Sequence, residues 1–447
     1  MTDITSSHAI QLIIALSGAI IFFLLSYLGL QRQFFKALLI IIPFQLIDSQ
    51  YGSLNMALTY VLGASMLFSR KLEKKQGAST WPLILPFCII FFAYLLSWTQ
   101  APSYFNMKNL LYLVMLFSNV VLFYMTYHFI RDESDIESIL KILFTSNGLV
   151  IAYCILQLLV GFGHFSLLGI EELSLSANRA DNRLAGPFNA VGITAEYLVI
   201  QCLLIAHYSF SRGRHLLLSS AMIFCNIAIL IGTGNRGGFL SFFVALILFT
   251  YNFRKKLGGG KIIAIIFSAV IILTSASFFM IQYTDFNILY DRLLGTEMKG
   301  FTPDTRSGWD YVVEKIWNKP ILGHGPRLVT REEIGVPPQQ LAGKIDFYPH
   351  SLYLYILYTM GMVGLLAYST LWVRYITGLA KINISSADPL IQGMKKIGLI
   401  VFFIFLFDQL KVECLRFYLL DYQHYIAATS GMFYGLYRLQ QLPSTKS

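Results

Sequence analysis

Residues 348–374 read YPHSLYLYILYTMGMVGLLAYSTLWVR. Residues 351–373 carry no charge, and at helical rise such a run is long enough to cross a hydrocarbon core of ~30 Å. An ionisable imidazole, His350, stands where a polar segment enters the run, and Arg374 stands where the run ends. Ionisable groups are costly inside lipid, so one held at the boundary of a span is a candidate for function. This stretch makes the chain a membrane protein and gives its chemistry an address.

Working outward, similar runs recur at 10–30, 34–48, 52–69, 82–99, 109–130, 139–160, 189–208, 215–233, 237–253, 261–283, 391–410 and 420–437. With 351–373 they predict an all-α polytopic bundle of about 12 to 13 transmembrane helices in a single integral membrane domain, 1–447. The weakest are 34–48, which is short and holds Pro43, and 420–437, which is rich in Tyr. The composition agrees: 56% of the residues are hydrophobic and only 13% charged. The first run lacks the basic flank of a cleavable leader and is expected to stay in the protein. Five cysteines (Cys88, Cys154, Cys202, Cys225, Cys414) without metal-ligand spacing read as small apolar residues, not as a disulfide framework or zinc site.

Basic residues cluster in alternate short loops: Arg70, Lys71, Lys74 and Lys75; Arg212 and Arg214; Arg254, Lys255, Lys256 and Lys261; Arg374, Lys381, Lys395 and Lys396. By the positive-inside rule these face the cytoplasm. With Arg32, Lys36, Arg131, Lys141, Arg438 and Lys446, 20 of 34 basic and 6 of 24 acidic residues fall inside. The net +10 is therefore +14 within and −4 without. The basic balance is a topology signal, and no nucleic-acid partner is expected. Two long polar segments, 161–188 and 284–350, fall on the outer face, which is the periplasm in a cell with two membranes.

The larger outer loop predicts an amphipathic helix. Asp304 or Thr305 can cap it, Trp309, Val312, Val313, Ile316 and Trp317 share a face, and Pro320 with Gly323 ends it. Its tryptophans read as the packing face of a lid, with Arg306 near the opposite face. The Gly- and Pro-rich stretch 323–349, which holds His324 and Tyr348, reads as a substrate-gating loop. For 327–345 a tolerated surface insertion is an equal alternative.

In the smaller loop Arg179, Asp181 and Arg183 lead into Gly186-Pro187-Phe188 and a helix start, where an anion could meet the helix N-terminus. Glu196, about two turns into that span, must face a polar interior, as substrate contact or as partner of an arginine. Thr233-Gly234-Asn235-Arg236-Gly237-Gly238 is an outer turn that leaves one arginine among glycines, able to approach a ligand or to anchor on lipid phosphates. Lys411, Glu413 and Arg416 also fall outside, either lining the same cavity or anchoring at the interface.

Four motifs, in this order and spacing, resemble the O-antigen ligase and polymerase superfamily, membrane glycosyltransferases of the GT-C type. They are Arg183 with Gly186-Pro187-Phe188; Arg236 in its glycine turn; Arg306 through Pro320-Ile321-Leu322-Gly323-His324-Gly325; and His350-Ser351 with nine residues to Gly361-Met362-Val363-Gly364. The last matches the ligase pattern. One departure is Val191-Gly192, where the family often has Pro-Asn, so the role of that Asn is not carried over.

The resemblance implies a donor glycan on undecaprenyl diphosphate, lipid A-core as acceptor, lipids as surroundings, an inner-membrane location with a periplasmic site, and an inverting transfer that needs no metal or other cofactor. Arg183, Arg236 and Arg306 would hold the diphosphate, since arginine offers permanent, bidentate charge to phosphate. His350 would be the catalytic base, its ordinary pKa lying near operating pH. Arg179, Glu196, Asn235, His324, Tyr348 and Ser351 form a second set of site candidates. A polymerase using the same donor is the near alternative. A transporter of lipid-linked glycans is the distant one, disfavoured because the ionisable residues gather at the outer face and no internal repeat is evident.

Overall fold

The computed structural model describes chiefly residues 26–44, 54–68, 81–101, 107–160, 183–213, 216–255, 308–325, 351–383, 386–412 and 419–441, with a few short pieces between them. The expected span 261–283 lies almost wholly outside the described residues, and about half of the expected span 10–30 lies outside them too. So do most of the two long polar segments, including Arg179, Arg306, Tyr348 and His350.

The protein is an all-α polytopic membrane protein. Its helices are α1 (Gln31–Ile41), α2 (Leu54–Phe68), α3 (Ile84–Trp98), α4 (Met107–Phe129), α5 (Glu133–Val160), α6 (Val191–Arg212), α7 (Leu216–Gly232), α8 (Arg236–Lys255), α9 (Gly308–Asn318), α10 (Leu352–Lys381), α11 (Pro389–Asp408) and α12 (Leu420–Gln441). Among the described residues, six helices are long and apolar enough to cross a membrane, and three further apolar ones are shorter. Helix α12 is too polar to count among them, yet most of its residues are buried. It packs along α4, which puts its tyrosines inside the bundle, where ring stacking and hydroxyl hydrogen bonds suit them.

Local sequence explains the helix ends. Asp388 caps α11 by accepting from the Leu390 N–H at 2.9 Å, and Pro389 follows at the first helical position. Gly213, at φ 61°, closes α6 with its N–H on the Ser209 carbonyl. Helix α1 is shorter than the span expected at 34–48. It stops at Ile41 because Pro43 has no N–H to continue it, and at 1.5 Å per residue its 11 residues cover about 16 Å. The residues between the first two expected spans, 31–33, are helical. They continue a stretch of wider helix, Ser26–Leu30, that bends at Gly29.

Ion pairs gather at one end of the bundle. Arg212, ending α6, makes two 2.9 Å bonds to the Asp388 carboxylate and a third contact with Glu137 of α5. Arg32 pairs with Asp135 at 2.9 Å, Arg438 reaches the His128 carbonyl, and Lys395 caps α10 through the carbonyls of Ala380 and Ile382. Asp132, between α4 and α5, accepts from the Ser134 hydroxyl, which holds its carboxyl below the ordinary carboxylate value. All these cations belong to the set that charge distribution assigned to the inner face.

In the larger loop, α9 forms where helical spacing predicts it. Its face is narrower than expected: Val312 and Ile316 pack on Tyr358 and Leu354 of α10, while Trp317 is 74% exposed instead of packed.

Candidate functional site

At the opposite end of the bundle, the segment before α6 is tied to the end of α7. The Leu184 N–H donates to the Gly232 carbonyl at 2.9 Å, so Arg183 is held beside the turn that begins α8. The Gly-Pro-Phe motif is the anchor. Gly186 adopts φ 62° against Thr194, where a side chain would come within 2.9 Å, and its N–H donates to Gln157 Oε1 at 3.2 Å. Phe188 is buried between Tyr197 and Tyr422, with ring centroids at 5.1 and 5.8 Å.

The glycine turn 233–238 does a similar job. Asn235 caps α8, its Oδ1 accepting the Gly238 N–H at 2.8 Å, so Arg236 is the first helical residue. A side chain at Gly238 would strike Ala195 of α6, and one at Gly237 would overlap the Lys411 ammonium. The glycines therefore admit neighbouring elements of the protein as much as any ligand. Gly192, on the first turn of α6, faces both Asn235 and Val412.

The start of α10 joins the same cluster through the end of α11. The Leu352 N–H donates to the Gln409 carbonyl at 3.0 Å. The Gln409 amide donates from Nε2 to Glu196 Oε2 at 2.9 Å and accepts the Cys414 N–H on Oε1 at 3.0 Å. Glu196 is thus bonded to an amide, where substrate contact and an arginine partner were the two alternatives expected. Beside it, Asp408 pairs with Lys411 and accepts from the Ser241 hydroxyl at 2.7 Å. Lys411 also reaches Ser241, so it is bound into the cluster and is not an interfacial anchor.

His324 is elsewhere. The turn 320–325 docks into a break in α10 at Gly361, whose φ of 62° and ψ of −160° leave the helix. Four backbone bonds replace those the break removes. Met362 N donates to Pro320 O, Val363 N to Ile321 O, His324 N to Tyr358 O and Gly325 N to Thr359 O, at 2.8–3.2 Å. The His324 ring is buried, stacked 4.9 Å from Tyr358, with Nε2 2.8 Å from the Lys315 carbonyl. Tyr358 lies about 10 Å along α10 from Ser351.

Of the expected site residues, the structure brings Arg183, Glu196, Asn235, Arg236 and Ser351 to one end of the bundle. It sets His324 apart as a clamp between α9 and α10. Asp408, Gln409 and Ser241 were missed. The signal was present: Asp408-Gln409 and Lys411 close an otherwise apolar run, the pattern already used to single out Glu196.

Three helix N-termini, those of α6, α8 and α10, meet in this region, and neither Ala190 nor Ser351 makes a side-chain cap bond to its helix. The positive dipole ends of these helices, with Arg183 and Arg236 beside them, make a region suited to a large anion. An all-α polytopic membrane protein with a cationic cluster at one end of its bundle is the class that fold and site define. A family model described as O-antigen ligase matches residues 199–369, and this match places that region in the O-antigen ligase family. It includes Arg236, His324, Ser351 and the Gly361 break. No curated protein matches the chain.

Proposed function

We propose that the protein is an inner-membrane glycosyltransferase. It moves a glycan from undecaprenyl diphosphate to a sugar hydroxyl of lipid A-core at the periplasmic face. The acceptor oxygen forms a bond to the anomeric carbon and the carbon–oxygen bond to the diphosphate breaks, inverting the centre. His350 takes the hydroxyl proton, and Arg183, Arg236 and Arg306 meet the charge that grows on the departing diphosphate.

One observation carries this reading: the Leu184–Gly232 bond holds Arg183 beside the start of α8, and the Leu352–Gln409, Gln409–Glu196 and Ser241–Asp408 bonds tie the N-terminus of α10, two residues after His350 in the sequence, to α6 and α8. The match to the O-antigen ligase family supports a transfer reaction of this class.

The test is glycan transfer by purified protein in detergent, where a pure transporter shows nothing. Wild type transfers and His350→Ala does not; a fully active His350→Ala protein overturns the mechanism. A polymerase acting on the same donor is distinguished by deletion in cells. Loss of a ligase leaves long lipid-linked chains with bare core, whereas loss of a polymerase leaves core bearing single repeats.

A further inference from the structure

Gln409 is fully buried, and every polar group of its side chain is engaged across element boundaries. Its carbonyl lies past the last turn of α11, where a helix leaves acceptors unsatisfied, and the Leu352 N–H is one of the donors that a helix start leaves unsatisfied. Their bond joins the end of α11 to the start of α10. The Gln409 backbone is in turn held from both sides by its amide, donating to Glu196 on α6 and accepting from Cys414. Cys414 is itself tied to α12, since its carbonyl accepts from Gln423 Nε2 at 2.7 Å. The orientation of the amide is fixed by the Cys414 N–H, which only its oxygen can accept, leaving the NH₂ to face Glu196.

We infer that the Gln409–Glu196 pair is a positioning device for the transfer reaction, setting the height of the α10 N-terminus, which follows His350 by two residues in the sequence, against the arginines on α8 and the 183–188 segment. The inference rests on the transfer reading proposed above. Neither residue need touch substrate. Glu196 is buried one turn below Gly192, and its side chain is held in place by the amide it accepts from. A displacement of about 1 Å at a general base can cost on the order of 10²-fold in rate, so small movement at Leu352 suffices for a large effect.

The pair can be exchanged. In Gln409→Glu two carboxylates face each other, in Glu196→Gln two amides do, and in the double variant an amide at 196 donates to a carboxylate at 409, which still accepts the Cys414 N–H. Two readouts are needed, on full-length protein in detergent: amide hydrogen exchange of the peptide containing Leu352, and transfer at saturating donor. Expected for Gln409→Glu are exchange about tenfold faster at Leu352 and a kcat lower by ~10- to 100-fold, with donor KM nearly unchanged. The double variant recovers most of both.

If Gln409→Glu leaves kcat at the wild-type value, or if the double variant recovers neither protection nor rate while melting like wild type, the positioning role is wrong. Wild-type protein that transfers no glycan overturns the transfer reading instead, and the exchange series still decides whether the pair holds α10.

Discussion

At the scale of single residues, arginine and histidine divide into those proposed to meet an anion and those used to hold the protein together. Arg236 begins α8, where its guanidinium adds to the positive end of the helix dipole. Arg236→Ala is expected to lower kcat for transfer by on the order of 10²-fold, and Arg236→Lys to recover only part of it, since lysine keeps the charge but loses the planar fork. Steady-state transfer assays on the two variants check this. His324 belongs to the other group. His324→Ala removes a stacked ring from Tyr358 and a partner from the Lys315 carbonyl, and should cost about 1–3 kcal/mol of stability, read as a lower melting temperature. In sequence, the ligase-like motif singled out His350 as the base and left His324 a lesser candidate; the role of His324 as a clamp was not legible there, because Lys315 and Tyr358 become its partners only on folding.

At the scale of elements, the Gly361-x-x-Gly364 pattern has a physical meaning that spacing alone did not disclose. It is where α10 opens to receive the turn 320–325, and the four exchanged backbone bonds are why an interrupted helix is tolerated among apolar surroundings. Gly361 occupies a region of φ/ψ open essentially to glycine, and a Cβ there would stand 2.3 Å from the Ile321 carbonyl oxygen. Gly361→Ala should therefore destabilise by roughly 2–3 kcal/mol and loosen α9 from α10. Melting curves and a faster protease cut within 308–325, against an unchanged rate elsewhere, are the measurements. The amphipathic helix was legible from its 3.6-residue spacing. Which of its apolar residues pack was not, because Val312 and Ile316 meet Tyr358 only once the turn is docked, leaving Trp317 on the surface.

At the scale of the whole molecule, the two ends of the bundle are chemically distinct. The end bearing Arg212, Glu137 and Asp388 is laced by ion pairs, and Arg212→Ala should cost about 1–2 kcal/mol after allowance for partial solvent screening. Thermal unfolding of the variant in detergent reports this. The other end gathers helix N-termini, arginines and the Glu196–Gln409–Asp408–Lys411 cluster. Orientation follows from the charge bias: with Cys88→Ser as background, Thr99→Cys should react with an impermeant maleimide on intact inner-membrane spheroplasts, and Lys381→Cys only after permeabilisation. The reverse labelling would turn the molecule over and put the proposed site on the wrong face.

The membrane class, most of the described spans and the charge bias were legible in the sequence, because these depend on local hydropathy, on turn residues and on where charges are tolerated. Only the tertiary structure decided which polar residues meet. Glu196 and Gln409 are 213 positions apart, and the Leu352–Gln409 and Leu184–Gly232 bonds join elements that share no local pattern. Such pairings arise from the packing of α6, α8, α10 and α11 against one another, and helix periodicity carries no record of which partner a buried amide will find.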